Sequence, residues 1–367
     1  MRLRNRIGLW IVVILLVAAS ALALAVSYEA DCEPAPPLAA GVETMKAVTY
    51  RCYGSADVLA LEDVEKPVPA AGEILVKVRT AAVNPLDWHF MRGKPYLMRL
   101  MSGLGKPQDP RMGVDFSGVV ESVGPDVTRF SAGDEVFGGI RGAFAEFVLV
   151  RVDQPVVHKP ENVTFEQAGT VGIAGVTALQ ALRDKGDLKP GQKVLINGAS
   201  GGVGTFAVQI AKSLGAEVHG VCSARNVEMV KSIGAARVYD YRQENYTDSE
   251  EQYDVIVDMI SNHSLGANRG VLGPNGTLVI VGGSSGDWLG PMLRPIAAMV
   301  YSPFVGQNLG MMMARGSKED LSMLAALLQS GEVTPVIDRE YQLSDVPAAI
   351  RYSEEGHARG KIVIQVN

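Results

Sequence analysis

The rhythm of hydrophobic and polar positions changes three times along the chain. Ile7–Val26 is a run of twenty residues without a charge, and a helix of that length covers about 30 Å, the thickness of a bilayer core. From Met45 to about Val150 the pattern is short alternating segments, such as Ile74–Arg79, Gly118–Val123 and Ala145–Val150, with Gly and Pro between them. A period of two predicts a β-rich, barrel-like unit. After Pro160 strands alternate with helices. Val194–Asn197, Glu217–Cys222, Arg237–Tyr241, Tyr253–Asp258 and Thr277–Val281 read as strands, and Asn226–Ile233 as a helix. Between the first two strands Val203, Phe206, Ala207, Ile210, Ala211 and Leu214 form one apolar helical stripe. This alternation predicts an α/β unit with a doubly wound parallel sheet. From about Glu332 isolated strands return, ending in Lys361–Val366. The expected organisation is therefore 1–26 as membrane anchor or signal peptide and 27–44 as an extended Pro/Ala-rich linker. Segments 45–162 and 331–367 form the β-rich unit, and 163–330 the parallel-sheet unit.

Composition narrows the picture. The 47% hydrophobic and 20% charged residues of a 367-residue chain are globular proportions, enough for two cores. Formal net charge is −6, and without the N-terminal Arg2, Arg4 and Arg6 the remainder carries −9. So acidic a body has no electrostatic footprint for nucleic acid. Cys32, Cys52 and Cys222 are too few for a disulfide framework and read as three independent thiols. A single Cys32–Cys52 bridge is the alternative if the body is exported. The apolar run is longer than the usual 7–15-residue signal core, which favours a retained anchor, although Ala21-Leu22-Ala23 and Ala23-Leu24-Ala25 both suit cleavage. Arginines before the run and Glu29, Asp31 and Glu33 after it place the body outside the cytoplasm by the positive-inside rule.

The strongest motif is Asn197-Gly198-Ala199-Ser200-Gly201-Gly202-Val203-Gly204, directly after a strand and before an amphipathic helix. There Gly198 permits a tight turn, Gly201 and Gly202 let backbone amides approach a pyrophosphate, and Gly204 lets the helix pack closely. A helix N-terminus adds partial positive charge. One strand later, where an NAD site carries Asp or Glu for the ribose 2′-hydroxyl, this chain has Ser223-Ala224-Arg225. A hydroxyl and a guanidinium suit a 2′-phosphate, so the expected cofactor is NADPH. Its supply is cytoplasmic, which conflicts with a body outside, and the side of the membrane stays open.

With these residues in place the chain resembles the medium-chain dehydrogenase/reductase superfamily over about Met45–Asn367. Ala82–Asp87, Gly113–Gly118, Gly133–Gly138, Ala174–Ala178 and Gly356–Lys361 are similar to motifs of its quinone-oxidoreductase branch. The resemblance implies a GroES-like catalytic domain and a Rossmann domain. It implies cofactor contacts from Ser200, Gly202, Val203, Ser223, Arg225 and Tyr241, with Gly282 and Gly283 near the nicotinamide, Thr177 from a helix facing the cleft, and Lys231 as a spare to Arg225. Zinc relatives carry Cys near Asn84 and His-Glu near Val114-Asp115. Neither is present, and the only set that can be written down is Asp87, His89 and Asp115, so no metal is expected. Without a Lewis acid, conjugated acceptors suit hydride transfer better than simple alcohols. The implied activity is reduction of quinones or α,β-unsaturated carbonyls. Asn84 either donates to a developing enolate or organises the turn before Pro85. Tyr96 or water supplies the proton, or Tyr96 is structural. The Met91, Met98, Met101 and Met311–Met313 side chains read as core, with pocket lining as the alternative. The other function class that keeps these motifs is an NADPH-binding membrane scaffold or sensor, and a zinc-dependent alcohol dehydrogenase is the third. Expected partners are the small-molecule substrate, the membrane and a second copy in a homodimer.

Overall fold

A computed structural model of the chain describes residues 2–283, 286–288 and 290–366. Arg2–Ser27 forms one helix, of which Leu9–Ser27 is long and apolar enough to cross a membrane. Most of its side chains from Leu9 onward are exposed until Val26, which is buried.

The β-rich unit is a seven-stranded sheet running Ile337–Gln342, Lys361–Gln365, Glu73–Val83, Asp115–Val123, Glu135–Gly139 and Val156–His158, with Phe147–Arg151 also paired to Glu73–Val83. Its long central strand is buried over Ile74–Val76 and Thr80–Val83 and exposes only Arg79, so most of it is covered on both faces. The predicted return of the C-terminal segment is observed: Lys361–Gln365 pairs antiparallel with Glu73–Val83, placing Ile362 opposite Val83. Asp115 sits opposite Ala82 on the other side. This register brings three distant stretches of sequence to one point.

The second unit contains six parallel strands: β1 (Lys193–Asn197), β2 (Glu217–Cys222), β3 (Arg237–Asp240), β4 (Tyr253–Asp258), β5 (Leu272–Ile280) and β6 (Asn308–Met311). Their order is β3-β2-β1-β4-β5-β6, which reverses direction at β1 and opens the crevice where α/β sheets bind dinucleotides. β1, β4 and the facing helices share a core of Val194, Ile196, Phe206, Ile210, Val255 and Val257. The helix Gly290–Tyr301 and strand β6 were not expected. Pro291 and Pro295 break the helical reading of that stretch, yet the helix forms with Pro295 and Ala298 buried. The methionines divide: Met91 and Met312 are buried, whereas Met101 and Met313 are 86% and 76% exposed, contrary to core packing for those two.

The N-terminal segment corrects two expectations. Cys32 and Cys52 form a disulfide, with Cα atoms 4.7 Å apart, so only Cys222 is a free thiol. Nor is the start of the 27–44 stretch a free linker. Arg99 is fully buried, and its guanidinium donates to the carbonyls of Val26 (3.2 Å) and Tyr28 (3.0 Å) and to Glu29 (2.7 Å). The same group donates to Gly93 O and Arg92 O and lies against the Tyr53 and Tyr96 rings. Glu29 pairs with Gly105 as a β-bridge. Chain spacing does not announce the contacts to Val26, Tyr28 and Glu29, because the donor lies some seventy residues away.

Candidate functional site

The glycine-rich loop follows β1 as the motif requires. Gly198 has φ +95°, the left-handed region that favours glycine. A side chain at Gly204 would lie 2.1 Å from Gly198 O, so that glycine permits the close turn-to-helix contact. The helix Gly202–Ser213 begins with glycine as its cap and no side-chain capping bond. Its first intrahelical bond to the cap runs from Thr205 N to Gly201 O, so the amides of Gly202, Val203 and Gly204 have no intrahelical acceptor. A β-carbon on Gly201 would meet only Gly198 O, at 3.5 Å, and so points into open space. Gly202 differs from expectation. Its missing side chain faces Lys361 Cδ (3.2 Å) and Gly360 O (3.5 Å). The C-terminal return closes over the loop here, with Gly360 N donating to Ser200 O at 2.9 Å.

At the far end of the loop stand Ser223 and Arg225. Arg225 is exposed and donates to His357 O at 2.6 Å. Asn226, unremarked in the sequence reading, is buried and donates to Ser200 Oγ (3.0 Å) and Ser223 Oγ (3.3 Å). Its Oδ1 is buried with no hydrogen-bond partner among the described residues. Tyr241, just beyond β3, is 49% exposed, and Lys231 is exposed and paired with Glu228. An uncapped helix start and an open face at Gly201 fit the phosphates of a dinucleotide, and the orphaned Asn226 acceptor fits a donating hydroxyl such as a ribose carries. Gly282 sits where a side chain would come within 1.9 Å of Met259 O, and Gly283 is exposed. Thr177 is buried on the helix Ala174–Gln180, which packs against Gly202–Ser213.

Asn84 lies in a buried cluster. The register above sets it beside Asp115 and Lys361. Its amide donates to Asp115 Oδ2 (3.0 Å) and Ala82 O (3.3 Å), and its Oδ1 accepts from Lys361 Nζ (2.6 Å). Lys361 also reaches Asp115 (3.2 Å), whose other oxygen accepts from Ile173 N (2.7 Å). Asp87 accepts from Asn84 N at 2.7 Å, organising the helix start at Pro85. Both amide hydrogens of Asn84 are therefore engaged, and the side chain is only 2% exposed. This is the turn-organising arrangement, with no N–H left for a substrate. Asp115 holds the ammonium while Asp87 has only the Asn84 N–H in this dry site, and burial pushes the Asp87 carboxyl up to about 7, with the neighbouring Asp115 charge adding to the shift. Asp115 is raised as well, again chiefly by burial. Lys361, in the Gly356–Lys361 motif, was missed as a site residue. Only the sheet register brings it here.

Tyr96 is half-buried, with its ring 4.7 Å from that of Trp288 and its backbone N–H donating to Asp287 O (2.7 Å). The His89 ring bonds Lys94 O through Nδ1 at 2.8 Å. Among the described residues no group of three or more His, Cys, Asp or Glu converges as a metal site.

Known proteins bear on this geometry. Residues 70–161 match the alcohol dehydrogenase GroES-like domain, and residues 233–364 match the zinc-binding dehydrogenase family. The chain is 33% identical over 338 residues to a quinone oxidoreductase of Sus scrofa, covering 88% of this chain and 97% of that one. It is also 33% identical over 341 residues to a chloroplast envelope quinone oxidoreductase homolog of Arabidopsis thaliana, covering 88% and 98%. The solved quinone oxidoreductase of Coxiella burnetii superposes with a TM-score of 0.78 at 28% identity, covering 89% of this chain and all of that one.

Proposed function

The chain belongs to the medium-chain dehydrogenase/reductase superfamily, in its quinone-oxidoreductase branch, and from that premise we propose an NADPH-dependent, zinc-independent reductase of quinones or α,β-unsaturated carbonyls, held to a membrane by Leu9–Ser27. The coarser statement, an oxidoreductase of a family that binds a nicotinamide dinucleotide, rests on the relatives. The observation that carries the finer one is the pair Ser223 and Arg225 at the end of β2, where no carboxylate stands.

When bound, the dinucleotide supplies a hydride. The chain's own residues do the rest. The amides of Gly202, Val203 and Gly204 hold the pyrophosphate, Ser223 and Arg225 hold the 2′-phosphate, and Tyr241 flanks the adenosine end. Gly198 and Gly204 shape the loop, Ser200 and Gly201 line it, and Gly282 and Gly283, which let Met259 and Pro291 pack close, lie beside the nicotinamide with Thr177 behind. Asn84 acts by position, tying the substrate-binding unit (45–162 with 331–367) to the return over the cofactor unit (163–330). Tyr96 or water delivers the proton that completes reduction.

The test is NADPH oxidation by the purified full chain with a panel of quinones and enals, run beside NADH and after chelator treatment. We expect turnover on at least one conjugated acceptor, a clear NADPH preference and no chelator effect. Binding without turnover on any acceptor would support a membrane-associated sensor instead. Loss of activity together with removal of roughly one zinc per chain by the chelator would return the chain to the zinc dehydrogenases.

A further inference from the structure

Two apolar surfaces meet where the N-terminal helix joins the body. Arg99 pins Val26 and Tyr28, so the last turn of the apolar helix is fixed against the segment Arg99–Gly105. From that segment Leu100 (54% exposed), Met101 (86%) and Leu104 (55%) project into solvent. One contact further on, the Tyr96 ring meets Trp288, which leads into the helix Gly290–Tyr301. That helix has a defined inner side. Pro295 and Ala298 are buried, and Arg294 pairs with the buried Asp258 at 2.7 Å. Its outer side carries Leu293, Ile296 and Val300 at i, i+3 and i+7, with Met299 beside them and Phe304 just beyond, all exposed.

So many large apolar side chains on one face is a liability in water. Of the possible occupants, a bilayer is the one the chain itself brings there, because the candidate span ends at this face. The charges at its edge are already paired, Lys94 with Asp287 and Lys106 with Glu33. The body is acidic overall, so contact with a lipid surface depends on apolar burial, with Trp288 and Tyr96 placed as interfacial aromatics. We infer that the face formed by Leu100, Met101, Leu104, Trp288 and the outer side of Gly290–Tyr301 rests in the lipid surface around the anchor. Tyr96 belongs to the substrate-binding unit, and Trp288 follows the Gly282–Gly283 pair of the cofactor unit. The seam between the two units therefore opens at the membrane. Resting on the proposed reductase activity, this names the substrate class as quinones or enones dissolved in the bilayer.

The experiment uses the full chain in phosphatidylcholine nanodiscs. Nitroxide labels at Met101→Cys and Val300→Cys are compared with one at Val68→Cys, an exposed site with 83% accessibility. Labels at Met101 and Val300 should be relaxed by oxygen in preference to a water-soluble nickel chelate, and the Val68 label by the chelate. Water-like accessibility at both sites overturns the proposal. So does protection that persists in detergent and grows with protein concentration, which assigns the face to a second copy. The double variant Met101→Asp/Val300→Asp should turn over a long-tailed quinone in the disc about tenfold more slowly and leave a short, water-soluble quinone unchanged. Equal loss on both removes the membrane route. Lipid-buried labels with no turnover on either quinone uphold the surface and sink the reductase reading, so the two failures are distinguishable.

Discussion

Asp87 is a carboxyl-bearing residue only 2% exposed, and its carboxyl accepts from Asn84 N close to the buried Asp115–Lys361 pair. Its pKa of about 7 lies above the ordinary 3.8 of an aspartate. The native state therefore keeps a proton that the unfolded chain releases. Stability from this group is present in full below about pH 4 and falls as pH rises towards 7, by about 1.4 kcal/mol per pH unit. Asp87→Asn keeps an acceptor for Asn84 N–H and removes the titration. Denaturant titrations from pH 5 to 8 should show a declining midpoint in the natural protein and a flatter one in the variant, and equal slopes would place the charge elsewhere. Arg225 is the second residue whose chemistry is explicit. Arg225→Ala should weaken NADPH by about 1.5 kcal/mol, roughly tenfold, and leave NADH almost unchanged in a fluorescence titration. Loss for both cofactors alike would mean that Arg225 serves only His357 O. The sequence named Arg225 because its site is local, one strand after the loop. It could not name Lys361 or Asn226, whose partners come from other strands and loops.

At the scale of elements, the glycine-rich turn after β1 was legible because strand, turn and helix start are contiguous in sequence and its glycines meet stated backbone needs. What the sequence could not separate was the direction of each missing side chain. Gly202 faces the return segment, so Gly202→Val would disturb Lys361 as well as any ligand. Gly201 is the cleaner position: its φ of −84° suits any residue, and its β-carbon would enter open space. Gly201→Val should leave the thermal midpoint nearly unchanged while weakening both NADPH and NADH at least tenfold, about 1.4 kcal/mol. Unchanged affinity with an intact fold would show that the loop is only a turn. The Arg99 clamp and the Gly290–Tyr301 helix were not legible. The first is a buried cation satisfied mostly by distant carbonyls, and the second is held by an ion pair to β4 in a stretch whose prolines mask its period.

For the molecule as a whole, the question is the side of the membrane on which the body stands. Two independent features agree. Arg2, Arg4 and Arg6 before the apolar run, with acids after it, would keep the N-terminus of an anchored chain in the cytoplasm. The Cys32–Cys52 bridge just beyond the run belongs to an oxidising compartment. The bridge spans a sequence separation of 20 and withdraws about 3 kcal/mol of chain entropy from the unfolded ensemble, so its loss would be felt. The body should therefore lie outside the cytoplasm on a retained anchor. In membranes washed with alkaline carbonate the full-length chain should stay in the pellet. Protease added to right-side-out vesicles should digest the body, and Cys32 and Cys52 should resist alkylation until a reductant is added, lowering the thermal midpoint as they open. A protected body with two freely alkylated thiols would place it in the cytoplasm and make the bridge absent in the cell. A body outside must meet its dinucleotide there, so the same vesicles supply the functional half of the test. External NADPH should be oxidised by a bilayer quinone without permeabilising the membrane, whereas a cytoplasmic body would require it.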